Sequence, residues 1–236
     1  MAGLTGAAWW WAQTTRLGEA QILLPAMAMT LLWLVRQRGG GRLALAWLGA
    51  TLLAAAITTT SKIAFIGYGI GWAPLDFTGF SGHAMFAAAL MPLLLRLAAG
   101  PRTRAGRRMV LTAGYGLALL VAVSRIQVGA HSVSEVVTGY ALGALASAWA
   151  LRAGRWPALP LARWMPALLL AWAVLAVVGA PESRTHGLVT KLALAISGRP
   201  QAYQRWELHR DHARQQARAM LPHQQQRRPV ASLQAG

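Results

Sequence analysis

Residues 124–136 read SRIQVGAHSVSEV. The stretch sets an Arg, a His and a Glu between two apolar runs, near 109–125 and 133–151, in a chain that otherwise avoids charge for long intervals. Each run approaches the roughly 20 residues that carry a helix across a bilayer core. Working outward with the same ruler gives six candidate spans, near 20–36, 43–66, 83–99, 109–125, 133–151 and 163–180. The fold class this pattern implies is all-α, a polytopic membrane bundle of about six transmembrane helices.

Composition agrees. The 236 residues are 56% hydrophobic and only 12% charged, with a mean hydropathy of +0.40. That balance excludes an ordinary soluble globule. The net charge of +17 comes from 23 Lys and Arg against 6 Asp and Glu. The basic residues sit in short clusters between apolar runs, which is a topology signal more than a nucleic-acid footprint. No cysteine is present, so disulfides and thiolate metal sites are excluded.

The connections RQRGGGR (36–42), GPRTRAGRR (100–108) and RAGRWPALPLAR (152–163) are Arg-rich. By the positive-inside rule they face the cytoplasm, which leaves 67–82 and 126–132 on the outer side. The expected location is the cytoplasmic (inner) membrane, multi-pass, with any site facing the periplasm or exterior. Residues 1–19, with three consecutive Trp, are expected to form an interfacial segment, followed by a transmembrane domain over 20–180. Residues 181–198 are expected to lie in the interface, too short to span. Residues 199–236, with 7 Arg and 2 acidic residues, are expected as a disordered or loosely helical basic tail.

Between Leu43 and Leu151, leaving aside tyrosines and the Arg-rich 96–108, only six ionisable residues occur: Lys62, Asp76, His83, Arg125, His131 and Glu135. All fall at or near the outer ends of the expected spans, where ionisable groups mark function or pairing. His131 and Glu135, four apart, share a helix face, so the carboxylate is placed to hold one imidazole nitrogen and make the other a better nucleophile. A plain ion pair at a helix start has the same spacing. In FSGH (80–83), Ser81 stands where an N-cap is expected. Lys62 suits a snorkelling lysine as well as a ligand, and Arg125 suits a helix C-terminus. Their shared side and order are what these simpler readings leave unexplained.

That order resembles the type 2 phosphatidic acid phosphatase (PAP2) superfamily, whose motifs are KxxxxxxRP, PSGH and SRxxxxxHxxxD. The third motif is matched by Ser124, Arg125, His131 and Glu135, with Glu in place of Asp. The second is matched by Ser81, Gly82 and His83, with Phe80 in place of Pro. The first retains only Lys62, since the family's Arg and Pro fall on Gly69 and Ile70. The resemblance covers about 62–140 and implies metal-independent hydrolysis or transfer of a phosphomonoester or pyrophosphate, with no cofactor. His131 is the implied nucleophile, Glu135 its orienter and His83 the general acid. Lys62, Arg125, Ser81 and Gly82 are implied to hold the phosphoryl oxygens. The implied partners are a lipid phosphate or pyrophosphate substrate and membrane lipids, with no nucleic acid. The lost Arg also admits a non-catalytic protein that binds anionic lipid headgroups with the same cations. Asp76 has no role in the resemblance; a pairing with Lys62 or Arg125 is open to it and would weaken phosphate binding.

Overall fold

The structure is a computed structural model and describes residues 6–100, 103–153, 167, 171–172 and 185–226. Its helices are α1 (Gly6–Arg16), α2 (Ala20–Arg36), α3 (Gly40–Tyr68), α4 (Gly82–Ala99), α5 (Arg104–Gln127), α6 (Val133–Ala153), α7 (Thr185–Ser197) and α8 (Arg205–Gln226). Among the described residues there is no strand beyond an isolated Trp72–Phe77 bridge, and the chain is an all-α polytopic bundle. Five segments are long and apolar enough to cross a membrane: Gly6–Arg36, Gly40–Tyr68, Gly82–Ala99, Arg104–Gln127 and Val133–Ala153. The sixth expected span, 163–180, lies almost wholly outside the described residues.

Helix α4 is the axis of the bundle. Ala84, Met85, Ala87, Ala88, Ala89, Leu90 and Leu93 are all fully buried, so α4 is covered on every side, as a helix apolar all round must be. It packs against α2, α3, α5 and α6. The surrounding helices turn large apolar side chains outward, among them Leu45, Leu52 and Leu53 of α3, Leu119 and Leu120 of α5, and Leu145 and Trp149 of α6. Exposed leucine on this scale suits a lipid environment, not water.

Two glycines set a close helix crossing. A Cβ on Gly143 of α6 would lie 2.1 Å from the Met85 carbonyl oxygen, and one on Gly139 would lie 2.6 Å from that of Ser81. Four residues apart, they form the small face through which two membrane helices meet backbone to backbone. The crossing brings the start of α6 against the start of α4, where the Ser81 amide donates to the Glu135 carbonyl at 3.0 Å.

Alternation then gathers the ionisable residues singled out from sequence at one end. Helices α3 and α5 finish there with Lys62 and Arg125, while α4 and α6 begin there with His83 and Glu135. Arg36, Arg42, Arg104 and Arg107 lie at the opposite ends of their helices. At about 1.5 Å per residue, α3 is ~44 Å long, which exceeds a ~30 Å hydrocarbon core. Lys62, in its last two turns, therefore need not sit at the bilayer centre.

Residues 1–19 include α1, which packs on α5. The segment 199–236, expected as a disordered or loosely helical basic tail, forms the 22-residue helix α8 over Arg205–Gln226. Helix-favouring Ala, Arg, Gln, Glu and Leu predominate there. Its start is tied down by Leu208, buried against Phe65, Ile66 and Ala73, and by Glu207, which accepts from the Gln204 amide at 2.7 Å.

Candidate active site

The connection from α5 to α6 builds the centre. Beyond Gln127 the chain turns back, and the amides of Ala130 and His131 both donate to the Arg125 carbonyl, at 3.0 and 3.3 Å. His131 is thereby held beside the last turn of α5. Its Nδ1 lies 2.7 Å from Oε2 of Glu135. A carboxylate only accepts, so Nδ1 carries the proton and Nε2 keeps its lone pair.

Glu135 is 0% exposed, and a buried carboxylate persists only when its lone pairs are satisfied. Oε1 accepts from the Thr78 amide at 2.8 Å and from the Thr78 hydroxyl. Oε2 accepts from the Ser132 amide at 3.2 Å. Arg205 Nη2, reaching in from the start of α8, donates to both oxygens at 2.9 and 3.0 Å. The same guanidinium donates through Nη1 to the Asp76 carbonyl at 2.8 Å and to the Asp76 carboxylate.

A cavity of about 1140 Å³ opens at this end of the bundle, and Lys62, Gly82, His83, Arg125, His131 and Arg205 line it. Lys62 and His83 have no hydrogen-bond or ion-pair partner among the described residues. Arg125 Nη1 donates to Thr15 Oγ1 at 2.8 Å, which ties α1 to the site. Arg125 Nε is buried without a partner, as is Oγ1 of Thr58, another lining residue. Buried donors of this kind normally find a partner. His83 lies within electrostatic reach of the Arg125 and Lys62 cations, a concentration of positive charge that an anion stabilises. Burial, with the Lys62 and Arg125 cations, pushes the His131 pKa below the usual histidine value despite the Glu135 hydrogen bond. The imidazole is accordingly neutral at neutral pH.

Five of the seven residues singled out from sequence, Lys62, Gly82, His83, Arg125 and His131, line one cavity. The other two stand behind it. Glu135 backs His131. Ser81 occupies the N-cap position of α4 but makes no side-chain cap, and its fully buried Oγ has no partner. Asp76 pairs with neither Lys62 nor Arg125. Its carboxylate instead holds Arg205 and, at 2.7 Å, His209 Nε2. Sequence reasoning missed Thr15, Thr78 and Arg205, none of which belongs to a spaced motif.

Helix order and the apolar exterior point to a multi-pass membrane protein, with two histidines and two cations converging on a cavity at one end. Residues 66–159 match the family model of the PAP2 superfamily. It is also similar to the "Uncharacterized 22.5 kDa protein in cps region" of Klebsiella pneumoniae, at 38% identity over 138 residues. That match covers 58% of this chain and 66% of the relative, slightly under two thirds of its length. No solved structure matches at a significant level.

Proposed function

We propose that the protein is a membrane lipid-phosphate phosphatase or phosphotransferase that works through a phosphohistidine on His131. The observation that carries this is the convergence of Lys62, His83, Arg125 and a Glu135-backed His131 on one cavity. The match of residues 66–159 to the PAP2 superfamily model supports phosphatase-type chemistry on a lipid phosphate at the level of the family.

In this mechanism the Nε2 lone pair of His131 attacks phosphorus and the bond to the leaving oxygen breaks. His83 gives that oxygen its proton. The phosphorylated imidazole keeps its Nδ1 proton on Glu135, whose charge stabilises the cationic ring. Water, or an acceptor hydroxyl, then attacks phosphorus and breaks the P–N bond, while His83 takes back a proton. Lys62, Arg125 and the backbone at Gly82, in the first turn of α4, hold the phosphoryl oxygens, as cations and helix N-termini do.

Residues of both kinds line the cavity: the cations, and apolar side chains including Phe65, Ile66, Phe86 and Val189. That mixture suits an amphiphile whose headgroup enters while its chain stays in lipid. The Arg-rich helix ends opposite the site favour an outward-facing site in the cytoplasmic membrane.

The test is phosphate release by the full chain in detergent, from phosphatidic acid and an isoprenyl pyrophosphate, with and without EDTA. Release that survives EDTA and is abolished in His131→Ala is expected. Lipid binding without release would favour a protein that only holds anionic headgroups.

A further inference from the structure

The C-terminal segment is built into the site at the point where the first motif is incomplete. The Tyr203 amide donates to the Ile66 carbonyl at 2.9 Å, and the Tyr203 ring meets Phe65 edge-on at 5.5 Å. A Cβ on Gly69, where the family pattern has its Arg, would lie 3.3 Å from that ring. Two residues further on, Arg205 reaches the cavity and grips Glu135, Thr78 and Asp76. The segment therefore covers the position that lacks a cation and brings one from elsewhere in the chain.

We propose that Arg205 is a positioning residue for the phosphoryl transfer, holding the Glu135 carboxylate in the orientation that His131 meets. The proposal rests on the phosphohistidine function argued above. A terminal carboxylate torsion is soft and roughly two-fold, so Glu135 needs an external lock. Nη2 spans both oxygens, so the carboxylate cannot rotate away from His131 Nδ1 without losing one of the two bonds. Asp76 in turn fixes the guanidinium through Nη1, and His209 steadies Asp76 from the next turn of α8. Arg205 also balances the buried negative charge, so that Glu135 orients the imidazole without drawing a second proton onto it.

The charged and titratable groups around His131 come from every neighbouring element. They are Lys62 of α3, His83 of α4, Arg125 of α5, Glu135 of α6 and Arg205 of α8. Arg16 and Glu19, at the turn from α1 to α2, line the same cavity. Removing Arg205 takes a cation from this set and frees the Glu135 charge, so His131 will hold its proton to a higher pH.

The experiment compares the full chain in detergent with Arg205→Ala and Arg205→Lys. Two quantities are read: the NMR titration of the His131 ring, assigned by its loss in His131→Ala, and kcat and KM for phosphatidic acid. Arg205→Ala is expected to raise the His131 midpoint by about half a unit or more. It should lower kcat about 10-fold or more, with KM within about three-fold. Arg205→Lys keeps the charge without the fork, so it should restore the midpoint and only part of kcat. An unchanged His131 midpoint in Arg205→Ala, or an unchanged kcat in an active protein, overturns the proposal. The titration needs no turnover, so a wild-type protein that releases no phosphate would sink the function while the midpoint still decides the coupling.

Discussion

His131 Nδ1 lies 2.7 Å from Glu135 Oε2, and Glu135 is closed off from solvent. The pair fixes one tautomer and leaves Nε2 free, and catalysis on this account depends on that single choice. Glu135→Gln keeps the volume but offers an amide to donors built for a carboxylate. It should lower kcat by about 10²–10⁴-fold, the range expected when an orienting carboxylate becomes an amide. Steady-state phosphate release measures it, and a kcat near wild type would contradict the orienting role.

Glu135→Asp restores the residue of the family pattern, yet it should not raise activity. Thr78, Ser132 and Arg205 all meet the carboxylate at the reach of a glutamate. Shortening the arm by one methylene pulls it from several of these donors at once. A fall in kcat of about 10-fold is expected, and a gain would show that the site is not built around the longer side chain.

The acid side of the pH profile follows from His131. Burial, then the nearby cations, hold its pKa below the usual value, so the nucleophilic neutral form survives to lower pH. The acidic limb of kcat/KM should lie below about 6.5, the ordinary histidine value. A limb above that value would mean that Glu135 outweighs burial and the cations.

Gly143 meets Met85 too closely for any side chain. Gly143→Ala should push α6 from α4 and destabilise the protein by about 1–3 kcal/mol, with a matching loss of activity as Glu135 and His83 separate. Gly116 of α5 has nothing within 4 Å of its would-be Cβ, so Gly116→Ala should leave both unchanged or slightly raise stability. Thermal unfolding in detergent separates the two.

Gly69→Arg, which would complete the first motif on paper, should impair the protein. Gly69 ends α3 with φ of 72°, its amide bonded to Ala64 and Phe65 carbonyls. A side chain there costs about 1–2 kcal/mol in backbone conformation and displaces the Tyr203 ring. Lower phosphate release and a lower melting temperature are expected; improved release would show that the C-terminal segment is dispensable.

The spanning helices and four of the cavity residues are legible in sequence for a simple reason. Span length is set by bilayer thickness, and Lys62, His83, Arg125 and His131 are conspicuous because charge is rare in such spans. Spacing likewise points to Glu135, one turn from His131. Arg205 had no such contrast, since it is one of 7 Arg in a polar stretch and its partners lie 70 and 129 residues away in sequence. Thr78 was hidden differently, because half of its contribution to Glu135 comes from its backbone amide. The helix over Arg205–Gln226, expected as disordered or loosely helical, has its first turn held by tertiary contacts with α3 and with Asp76, which no local pattern displays.

The measurement that goes most directly to the central claim is a trapping experiment. The full chain in detergent is mixed with phosphatidic acid carrying a labelled phosphate and quenched in alkali, where a phosphohistidine persists. The account predicts label bound to the wild-type protein, released on brief acid treatment and lacking in His131→Ala. Turnover without bound label, or label and turnover that persist in His131→Ala, would contradict it.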